Sequence, residues 1–408
     1  MSEVKLKDIT ISITDGKHGD CKGQDNSGYY FVSCKDVFDG LIHYDNARQI
    51  TEDDFLDSDK RTKLSPNDIL VTNSGTIGRM ALVKDVPETR RTTFQKSVAI
   101  VKPNTDKVLP IYLYYLLQSK VYDFVNSSNG AAQKNLLLST MREFDLEIED
   151  DIYTQHRIAT ILSRYDSLIE NCQKQIKLLE EAAQRLYKEW FVDLHFPGHE
   201  NVKIVDGLPE GWEKKTIDDV TCKVTTGLNP RKNFVLGKGS NYYVTIKNMA
   251  DNTLFLDDRC DRVDNEALEK INKRSDLKIG DILFSGIGTI GRVALVDIPT
   301  NNWNVSESVF TLRVNDIVTK EFLYLMLLSP DMQNYCQSNA HGAAQKGIRM
   351  ADLKAYSFNL PPFGVIQKFT SLVTPTIKKV SSIRNQIRLL TEARDRLLPR
   401  LMSGDIKV

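Results

Sequence analysis

Apolar residues recur at steps of three and four positions along two long stretches of the chain. The positions of the first stripe are Ile169, Cys172, Ile176, Leu179, Ala183, Leu186 and Trp190, and those of the second are Val380, Ile383, Ile387, Leu390, Leu397 and Leu401. Arg394 interrupts the second stripe at one step. A stripe sustained over three heptads predicts two helices that pair as a coiled coil. The alternative is that each stripe only docks on its own domain.

Outside these stripes, apolar runs are short and are broken by glycine or proline. The stretches "DILVTNSGTIGRMALV" (68–83) and "DILFSGIGTIGRVALV" (281–296) each have two such runs around a glycine-containing turn, which predicts a β-hairpin. The glycines of the second stretch also fit G-x-G-x-x-G, the signature of a dinucleotide-binding turn. We reject that interpretation, because Asn73 replaces the first glycine in the other stretch and because a strand, rather than a helix, follows.

The two hairpins belong to a tandem duplication. Four blocks return in the same order, and they pair 68–83 with 281–296, 113–119 with 323–329, "GAAQK" at 130–134 with 342–346, and 174–186 with 385–397. A period above 200 residues indicates duplicated domains, since solenoid repeats have periods of roughly 20–50 residues. Each copy has strands and polar loops, the hairpin, a short apolar helix, the "GAAQK" loop and a long helix. We therefore predict an α+β fold, a tandem duplication of a mixed α/β domain in which each copy is followed by a long helix.

The composition limits the class of protein but does not indicate a function. The 408 residues are 41% hydrophobic and 26% charged, which is typical of a soluble globular protein with more than one domain. No apolar run approaches the roughly 20 residues of a membrane span, and the six cysteines are scattered, so we expect a cytoplasmic protein with reduced thiols. The net charge is zero, but residues 365–408 hold nine Lys and Arg against three Asp and Glu. That basic segment could meet phosphate or an acidic partner.

The whole arrangement resembles the specificity subunit of type I restriction–modification systems. The resemblance rests on the two "GTIGR" hairpins, the two "GAAQK" loops, "GLPEGW" at 207–212, "PPFGVIQKF" at 361–369 and the paired heptad helices. It covers essentially the whole chain, although the first copy starts at "VKLKDI" without an L-P-x-G-W entry. It implies an antiparallel coiled coil with pseudo-twofold symmetry. The expected divisions are 1–152, target-recognition domain 1; 153–196, central conserved helix; 197–364, linker and target-recognition domain 2; and 365–408, C-terminal conserved helix.

The resemblance also implies a function without catalysis. Each recognition domain would read one half of a bipartite site in double-stranded DNA, and the helical pair would set the gap and dock two modification (adenine methyltransferase) subunits. Restriction (translocase) subunits would join the same assembly. S-adenosylmethionine, ATP and Mg would be bound by those partners, and this chain would need no cofactor. A rival hypothesis is a scaffolding protein of two globular domains on a coiled coil, with no role on DNA.

Motifs of an enzyme are missing from the sequence. It contains neither an N/D-P-P-Y/F methyltransferase motif nor a phosphate-binding G-x-x-x-x-G-K-S/T loop. His195 and His199 are four apart, but Pro197 and Gly198 lie between them, so we do not expect a shared helix face or a metal site. "NLPPF" (359–363) occurs once and joins a strand to a helix.

The duplication separates two classes of candidate DNA-binding residue. Residues identical in both copies cannot distinguish two different half-sites, so they hold the fold or contact phosphate. These are Thr76, Arg79, Gln133, Lys134, Thr289, Arg292, Gln345 and Lys346. Base readers are expected in the divergent polar loops. The candidates are Lys17, His18, Lys22, Gln24, Asn26, Arg90, Arg91, Gln95 and Lys96 in the first copy, and Asn229, Arg231, Lys232, Asn233, Asn301, Asn302, Trp303 and Asn304 in the second. The alternatives are turn-shaping or loop-satisfying roles for the shared set, ordinary surface charge for the loops, and packing for Trp303.

Overall fold

The computed structural model describes residues 1–130, 134–250, 252–342 and 346–408. The chain forms two compact units. The first unit consists of Met1–Asn171 with Arg388–Val408, and the second consists of Cys172–Ile387. Each unit therefore contains one copy of the repeat and part of both long helices.

The first copy alternates short strands with helices. Its strands are β1 (Ser2–Lys5), β2 (Thr10–Asp15), β3 (Tyr30–Val32), β4 (Val37–Phe38), β5 (Leu41–Ile42), β6 (Arg48–Gln49), β7 (Ile69–Thr72), β8 (Met80–Leu82), β9 (Thr92–Phe94), β10 (Val98–Pro103) and β11 (Asp145–Ile148). Its helices are α1 (Glu52–Thr62), α2 (Pro110–Ser119), α3 (Val121–Asn126), α4 (Leu138–Arg142) and α5 (Ile152–Phe191).

The second copy repeats this order after a linker with two short paired strands. The strands are β12 (Ile204–Val205), β13 (Leu208–Pro209), β14 (Glu213–Thr216), β15 (Thr221–Thr226), β16 (Asn241–Val244), β17 (Met249–Ala250), β18 (Thr253–Leu254), β19 (Asp261–Val263), β20 (Ile282–Ser285), β21 (Val293–Leu295), β22 (Trp303–Val305), β23 (Val309–Val314) and β24 (Ser357–Leu360). The helices are α6 (Asn265–Ser275), α7 (Lys320–Leu327), α8 (Pro330–Ser338), α9 (Met350–Lys354) and α10 (Phe363–Met402).

The sheets of the two copies have the same topology. A four-stranded sheet has the order β2-β10-β7-β8 in the first copy and β15-β23-β20-β21 in the second. A three-stranded sheet has the order β6-β3-β9 or β19-β16-β22, and β1 pairs with β11 as β14 pairs with β24. Both predicted hairpins are present, since β7 pairs antiparallel with β8 and β20 with β21. The α+β duplication predicted from the sequence is thereby confirmed.

The central strands contain continuous apolar runs because the four-stranded sheet is covered on both faces. In the first copy, alternate residues of β7 belong to different buried clusters: Ile69 and Val71 to one, and Leu70 to another. All four residues of β7 are buried, as are all four of β20. Successive side chains of a strand point to opposite faces, so a sheet buried on both faces needs a continuous apolar run. This explains the "ILV" and "ILF" runs that precede the hairpin turns.

Both long helices begin where the local sequence favours it. The Asp151 carboxylate accepts hydrogen bonds from the amides of Tyr153 and Thr154, at 3.3 and 2.9 Å, and so caps α5. The hydrogen bonds from the Thr154 hydroxyl and amide lower the pKa of Asp151. Before α10, Pro361 ends β24, since proline restricts the preceding residue to extended backbone. "NLPPF" therefore connects a strand to a helix, as expected.

Within each unit, opposite ends of the two long helices pack together. In the first unit, Ile158 and Leu162 near the start of α5 share a buried cluster with Leu401 at the end of α10. In the second, the rings of Tyr187 and Trp190 lie with their centroids 6.3 and 5.7 Å from that of Phe369 near the start of α10. The helices are thus antiparallel. Of the stripe positions predicted to pair, Ile169, Cys172, Val380 and Ile383 are buried, whereas Ile176, Leu179, Leu186, Ile387, Leu390 and Leu397 are half-buried.

No helix among the described residues is both long enough and apolar enough to cross a membrane.

Candidate nucleic-acid interface

The hairpin loops of the two copies are held by the same hydrogen bonds. In the first copy, the Thr72 hydroxyl donates to the Thr76 carbonyl at 2.5 Å and accepts from the Arg79 amide at 2.9 Å. In the second, the Ser285 hydroxyl donates to the Thr289 carbonyl at 2.6 Å and accepts from the amide of residue 292 at 2.8 Å. The glycines at 75, 78, 288 and 291 all have φ between 79° and 90°, which glycine adopts without strain. The side chains of Thr76 and Thr289 therefore remain free to face solvent, and both are exposed.

The described residues at and beside the ends of the "GAAQK" loop contact the hairpin loop in each copy. In the first copy, Asn129 and Asn135 exchange two backbone hydrogen bonds of 2.9 and 2.8 Å that close the loop, and the amide of residue 136 donates to the Asn73 carbonyl at 2.8 Å. In the second copy, His341 and Gly347 exchange the equivalent bonds, both of 2.8 Å. We call residues 73–79 with 129–130 and 134–136, and residues 286–292 with 341–342 and 346–348, the shared platform. Gln133 and Gln345 lie outside the described residues.

The shared basic residues differ in how freely they are presented. Arg79, Lys134 and Lys346 are exposed, and their side chains make no hydrogen bond or ion pair to the described residues. Arg292 is half-buried, and its guanidinium donates to the Ile246 carbonyl at 2.9 Å. Three of the four cations are thus available to a partner, whereas Arg292 also holds its own domain together.

A glycine at the start of each divergent loop brings that loop beside the shared platform. A Cβ on Gly16 would lie 1.9 Å from the Phe94 carbonyl oxygen, and one on Gly227 would lie 1.6 Å from the Val305 carbonyl oxygen. Only glycine fits such an approach. The sequence analysis missed this pair, although their offset of 211 positions matches the duplication.

Backbone hydrogen bonds of the segment that follows β9 or β22 connect this glycine contact to the hairpin. In the first copy, the Lys17 amide donates to the carbonyl of residue 94 at 2.8 Å, and the Lys96 amide donates to the Lys17 carbonyl at 3.1 Å. The next residue, Ser97, accepts from the amide of Asn73 at 3.0 Å, and Ser308 likewise accepts from Gly286 at 2.9 Å. The divergent loops and the shared platform of each copy are therefore neighbours in the fold.

In the first copy, several base-reading candidates are tied to acidic neighbours. Lys17 Nζ lies 3.2 Å from Asp54 and 3.3 Å from Asp57, and its hydrogen bond to Asp54 raises its pKa. The Asp54 pKa is lowered, first by a hydrogen bond from the backbone amide of residue 22 and then by Lys17. His18 Nε2 lies 3.0 Å from Asp15. These contacts fix the shape of the loop, so Lys17 forms structural ion pairs and is also a candidate base-reading residue.

The other candidates of the first copy are mostly open to solvent. Lys22, Gln24, Asn26, Arg90, Arg91 and Lys96 are exposed, and Gln95 is half-buried. Arg90 is paired with Asp85 at 3.4 Å, and the Arg91 guanidinium lies 5.9 Å from the centroid of the Tyr29 ring.

In the second copy, two candidates are wrong. Trp303 and Asn304 are both 0% exposed, so neither can reach a base. The Trp303 indole nitrogen donates to the Pro299 carbonyl at 2.7 Å, which supports the packing alternative. The Asn304 Oδ1 accepts a hydrogen bond from the Ser275 hydroxyl at 2.8 Å, and its Nδ2 donates one to Asn272 Oδ1 at 2.6 Å. Both residues belong to β22, which pairs with β16 in the middle of the domain, and the sequence alone could not show that pairing.

The remaining candidates of the second copy lie at the surface. Arg231, Lys232, Asn233, Asn301 and Asn302 are exposed, and Asn229 is half-buried. Asn229 organises its loop, since its Oδ1 accepts from the amide of residue 231 at 3.0 Å and its carbonyl accepts from Asn233 Nδ2 at 2.7 Å.

A family of known proteins has this organisation. The model of a family described as "Type I restriction modification DNA specificity domain" matches the chain twice, over residues 2–181 and 209–388. The chain belongs to this family. The two matches coincide with the two copies of the duplication, and the predicted identity as a non-catalytic specificity subunit with two recognition domains is confirmed.

Individual specificity subunits are similar over most of their length. The chain is 28% identical to the type I restriction enzyme MjaIX specificity subunit of Methanocaldococcus jannaschii over 347 residues, which cover 83% of this chain and 78% of that protein. It is 24% identical to the HindI specificity subunit of Haemophilus influenzae over 374 residues, which cover 75% and 80%. The crystal structure of a type I restriction–modification S subunit from M. genitalium has the same fold, with a TM-score of 0.55 at 16% identity over 98% of this chain and 95% of that one.

Proposed function

We propose that this specificity subunit binds double-stranded DNA through both copies, each reading one half of a bipartite target. The observation that supports this proposal is the same in each unit. Cations present in both copies stand on the shared platform, and the loops that differ between copies lie next to it. Phosphate contacts position a protein on DNA without reading sequence, and base contacts specify the sequence. A surface with one shared part and one divergent part fits two readers of different half-sites.

The proposed partners follow from the family. Two modification subunits would dock on the paired helices, and restriction subunits would join the same assembly. Those subunits would bind S-adenosylmethionine, ATP and Mg, and this chain would contribute recognition alone, in the cytoplasm. The basic end of α10 offers a surface for an acidic partner or for phosphate.

The phosphate-binding role is assigned to Arg79, Lys134 and Lys346. Their side chains are exposed and make no ion pair with the described residues, so no internal contact must be broken before they bind. Because Lys134 and Lys346 recur at equivalent positions beside two different sets of loops, a sequence-independent ligand suits them best. The exposed hydroxyls of Thr76 and Thr289 stand on the same loops and can donate to phosphate oxygens.

The test measures DNA affinity against salt concentration. Lys134→Ala and Lys346→Ala, each in complex with the modification subunit, are compared with wild type on target and random duplexes. Each variant should bind every sequence more weakly, and the slope of log K against log salt should become shallower by roughly 0.9 per lost phosphate contact. Lys5→Ala is the control, because Lys5 is half-buried and already paired with Asp145 at 3.2 Å. Failure of the wild-type complex to bind duplex DNA refutes the proposal, and a loss confined to one base pair shows that the lysine reads sequence.

A further inference from the structure

One position beside the shared platform has opposite charges in the two copies. The segments after β9 and β22 align at an offset of 211 positions, so that Lys96 corresponds to Glu307. In both copies the following residue, Ser97 or Ser308, accepts a backbone hydrogen bond from the hairpin loop, at 3.0 and 2.9 Å. Lys96 and Glu307 therefore occupy the same place in their domains, one residue before the contact with the hairpin.

Glu307 is held in place by two neutral donors. Its Oε1 accepts from Asn229 Nδ2 at 2.8 Å, and its Oε2 is 3.1 Å from the hydroxyl of Tyr243. Tyr243 is only 2% exposed, and burial, followed by the charge of Glu307, raises the pKa of its hydroxyl, which therefore stays protonated. No Lys, Arg or His nitrogen of the described residues lies within 4.0 Å of the carboxylate. The structure thus orients a half-buried carboxylate without neutralising it.

Such a carboxylate selects a particular partner on DNA. It repels phosphate and the acceptor atoms of guanine, and it attracts hydrogen-bond donors. In the major groove the donors on base edges are the amino groups of cytosine N4 and adenine N6. Each oxygen of Glu307 keeps acceptor capacity beyond its single internal bond, because an ionised carboxylate has about four lone-pair sites.

We propose that Glu307 reads the exocyclic amino group of one base, on cytosine or adenine, in the half-site bound by the second copy. The inference rests on the proposed DNA-binding function. Lys96, at the same place in the first copy, then faces an acceptor such as guanine O6 or N7. Asn229 becomes a positioning residue, whose amide orients the carboxylate. The sequence analysis did not include Glu307, because apart from Trp303 it considered only Lys, Arg, Asn, Gln and His in the divergent loops.

The test removes the amino group from the DNA and the carboxylate from the protein. Once methylation mapping has given the target, binding by the complex with the modification subunit is measured on duplexes in which adenine is replaced by purine, or cytosine by pyrimidin-2-one, one position at a time. For the wild type, one position in one half-site should lose roughly 10- to 100-fold in affinity. The base analogue that produces the loss identifies the amino group as that of adenine or of cytosine. In Glu307→Ala the same replacement should cost little further.

Two further variants protect the result against a general loss of folding. Glu307→Lys introduces the residue type of the first copy, and it should shift preference at that one position toward guanine while the other half-site is unchanged. Lys96→Ala is the matched control and should affect only the half-site of the first copy. If Glu307→Ala weakens all duplexes equally and the analogue penalty persists, Glu307 merely supports its loop and the inference is wrong. If wild type discriminates no duplex from random DNA, the proposed function itself fails.

Discussion

The ion pair between the two long helices in the first unit allows a quantitative test of their pairing. Arg394 interrupts the apolar stripe of α10, and its guanidinium lies 2.6 Å from the carboxylate of Asp166 on α5. The other oxygen of Asp166 accepts from the Tyr115 hydroxyl at 2.5 Å. The side chains of Arg394 and Asp166 are 24% and 32% exposed. Arg394→Met places an unbranched apolar side chain on the stripe, and among the described residues it leaves Asp166 with only the neutral Tyr115 hydroxyl as a donor.

The size of the effect is set by this partial burial. Breaking a fully buried pair costs about 3–5 kcal/mol, whereas exposed pairs contribute about 0.2–1 kcal/mol. We expect the free energy of unfolding to fall by about 2 kcal/mol, and the melting temperature by roughly 4–8 °C for a unit of this size. Calorimetry and denaturant unfolding of the full chain measure both quantities. Lys7→Met is the control: Lys7 forms a pair of 2.5 Å with Glu143 in the same unit, but both side chains are more exposed, so the loss should stay below about 1 kcal/mol.

A double variant separates the ion pair from simple packing. Asp166→Asn removes the charge while keeping an acceptor for Tyr115, so combining it with Arg394→Met should recover more than half of the lost stability. The reasoning is refuted if Arg394→Met costs no more than Lys7→Met, or if the double variant is as unstable as Arg394→Met alone.

The remaining predictions concern thiols, a glycine contact and helix length. In the native protein a maleimide should label the exposed Cys222 but not Cys336, because burial raises the pKa of the Cys336 thiol to about 12. Equal labelling of the two cysteines, measured by mass spectrometry, would contradict this prediction. Gly16→Ala should lower the free energy of unfolding by roughly 1–3 kcal/mol because its Cβ would overlap a carbonyl oxygen, whereas Gly19→Ala, where the added carbon meets nothing within 4 Å, should be tolerated. Adding four residues to each long helix at the boundary between the two units preserves the contacts inside each unit and adds roughly 6 Å of helix. Methylation mapping should then show unchanged half-sites and a gap longer by about one to three base pairs of roughly 3.4 Å each; an active variant with the original gap would contradict it.

The second hairpin shows why a local motif misled and how the fold explains it. A Cβ on Gly286 would lie 2.5 Å from the Phe310 ring, so the glycine makes room for an aromatic side chain rather than for a pyrophosphate. In the first copy Asn73 takes the place of this glycine, and Ala99 takes the place of the phenylalanine. The two copies thus fill the same space in opposite ways. The comparison of the copies exposed the false motif, but the reason for it required the packing of neighbouring strands.

The sequence by itself determined the duplication, the two hairpins, the long helices and the family. These features depend on order and spacing along the chain, which short-range preferences and repeated blocks record directly. Exposure was decided by the tertiary structure, because it depends on residues that are distant in sequence. Trp303 and Lys96 both lie in polar, divergent segments, yet the pairing of β22 with β16 buries the first, while the turn after β9 exposes the second.

Glu307 shows the same division between what the sequence determines and what the tertiary structure decides. Its identity is visible in the sequence, but the two donors that fix it, Asn229 and Tyr243, come from segments 78 and 64 residues away along the chain. Likewise, the close approach of Gly227 to Val305 brings the start of a loop against the end of strand β22, and no local pattern relates the two. A sequence pattern reports which residues are neighbours on one helix or strand. Contacts between separate elements arise only when the chain buries its apolar surface, and these contacts decide which polar side chains remain free to bind a partner.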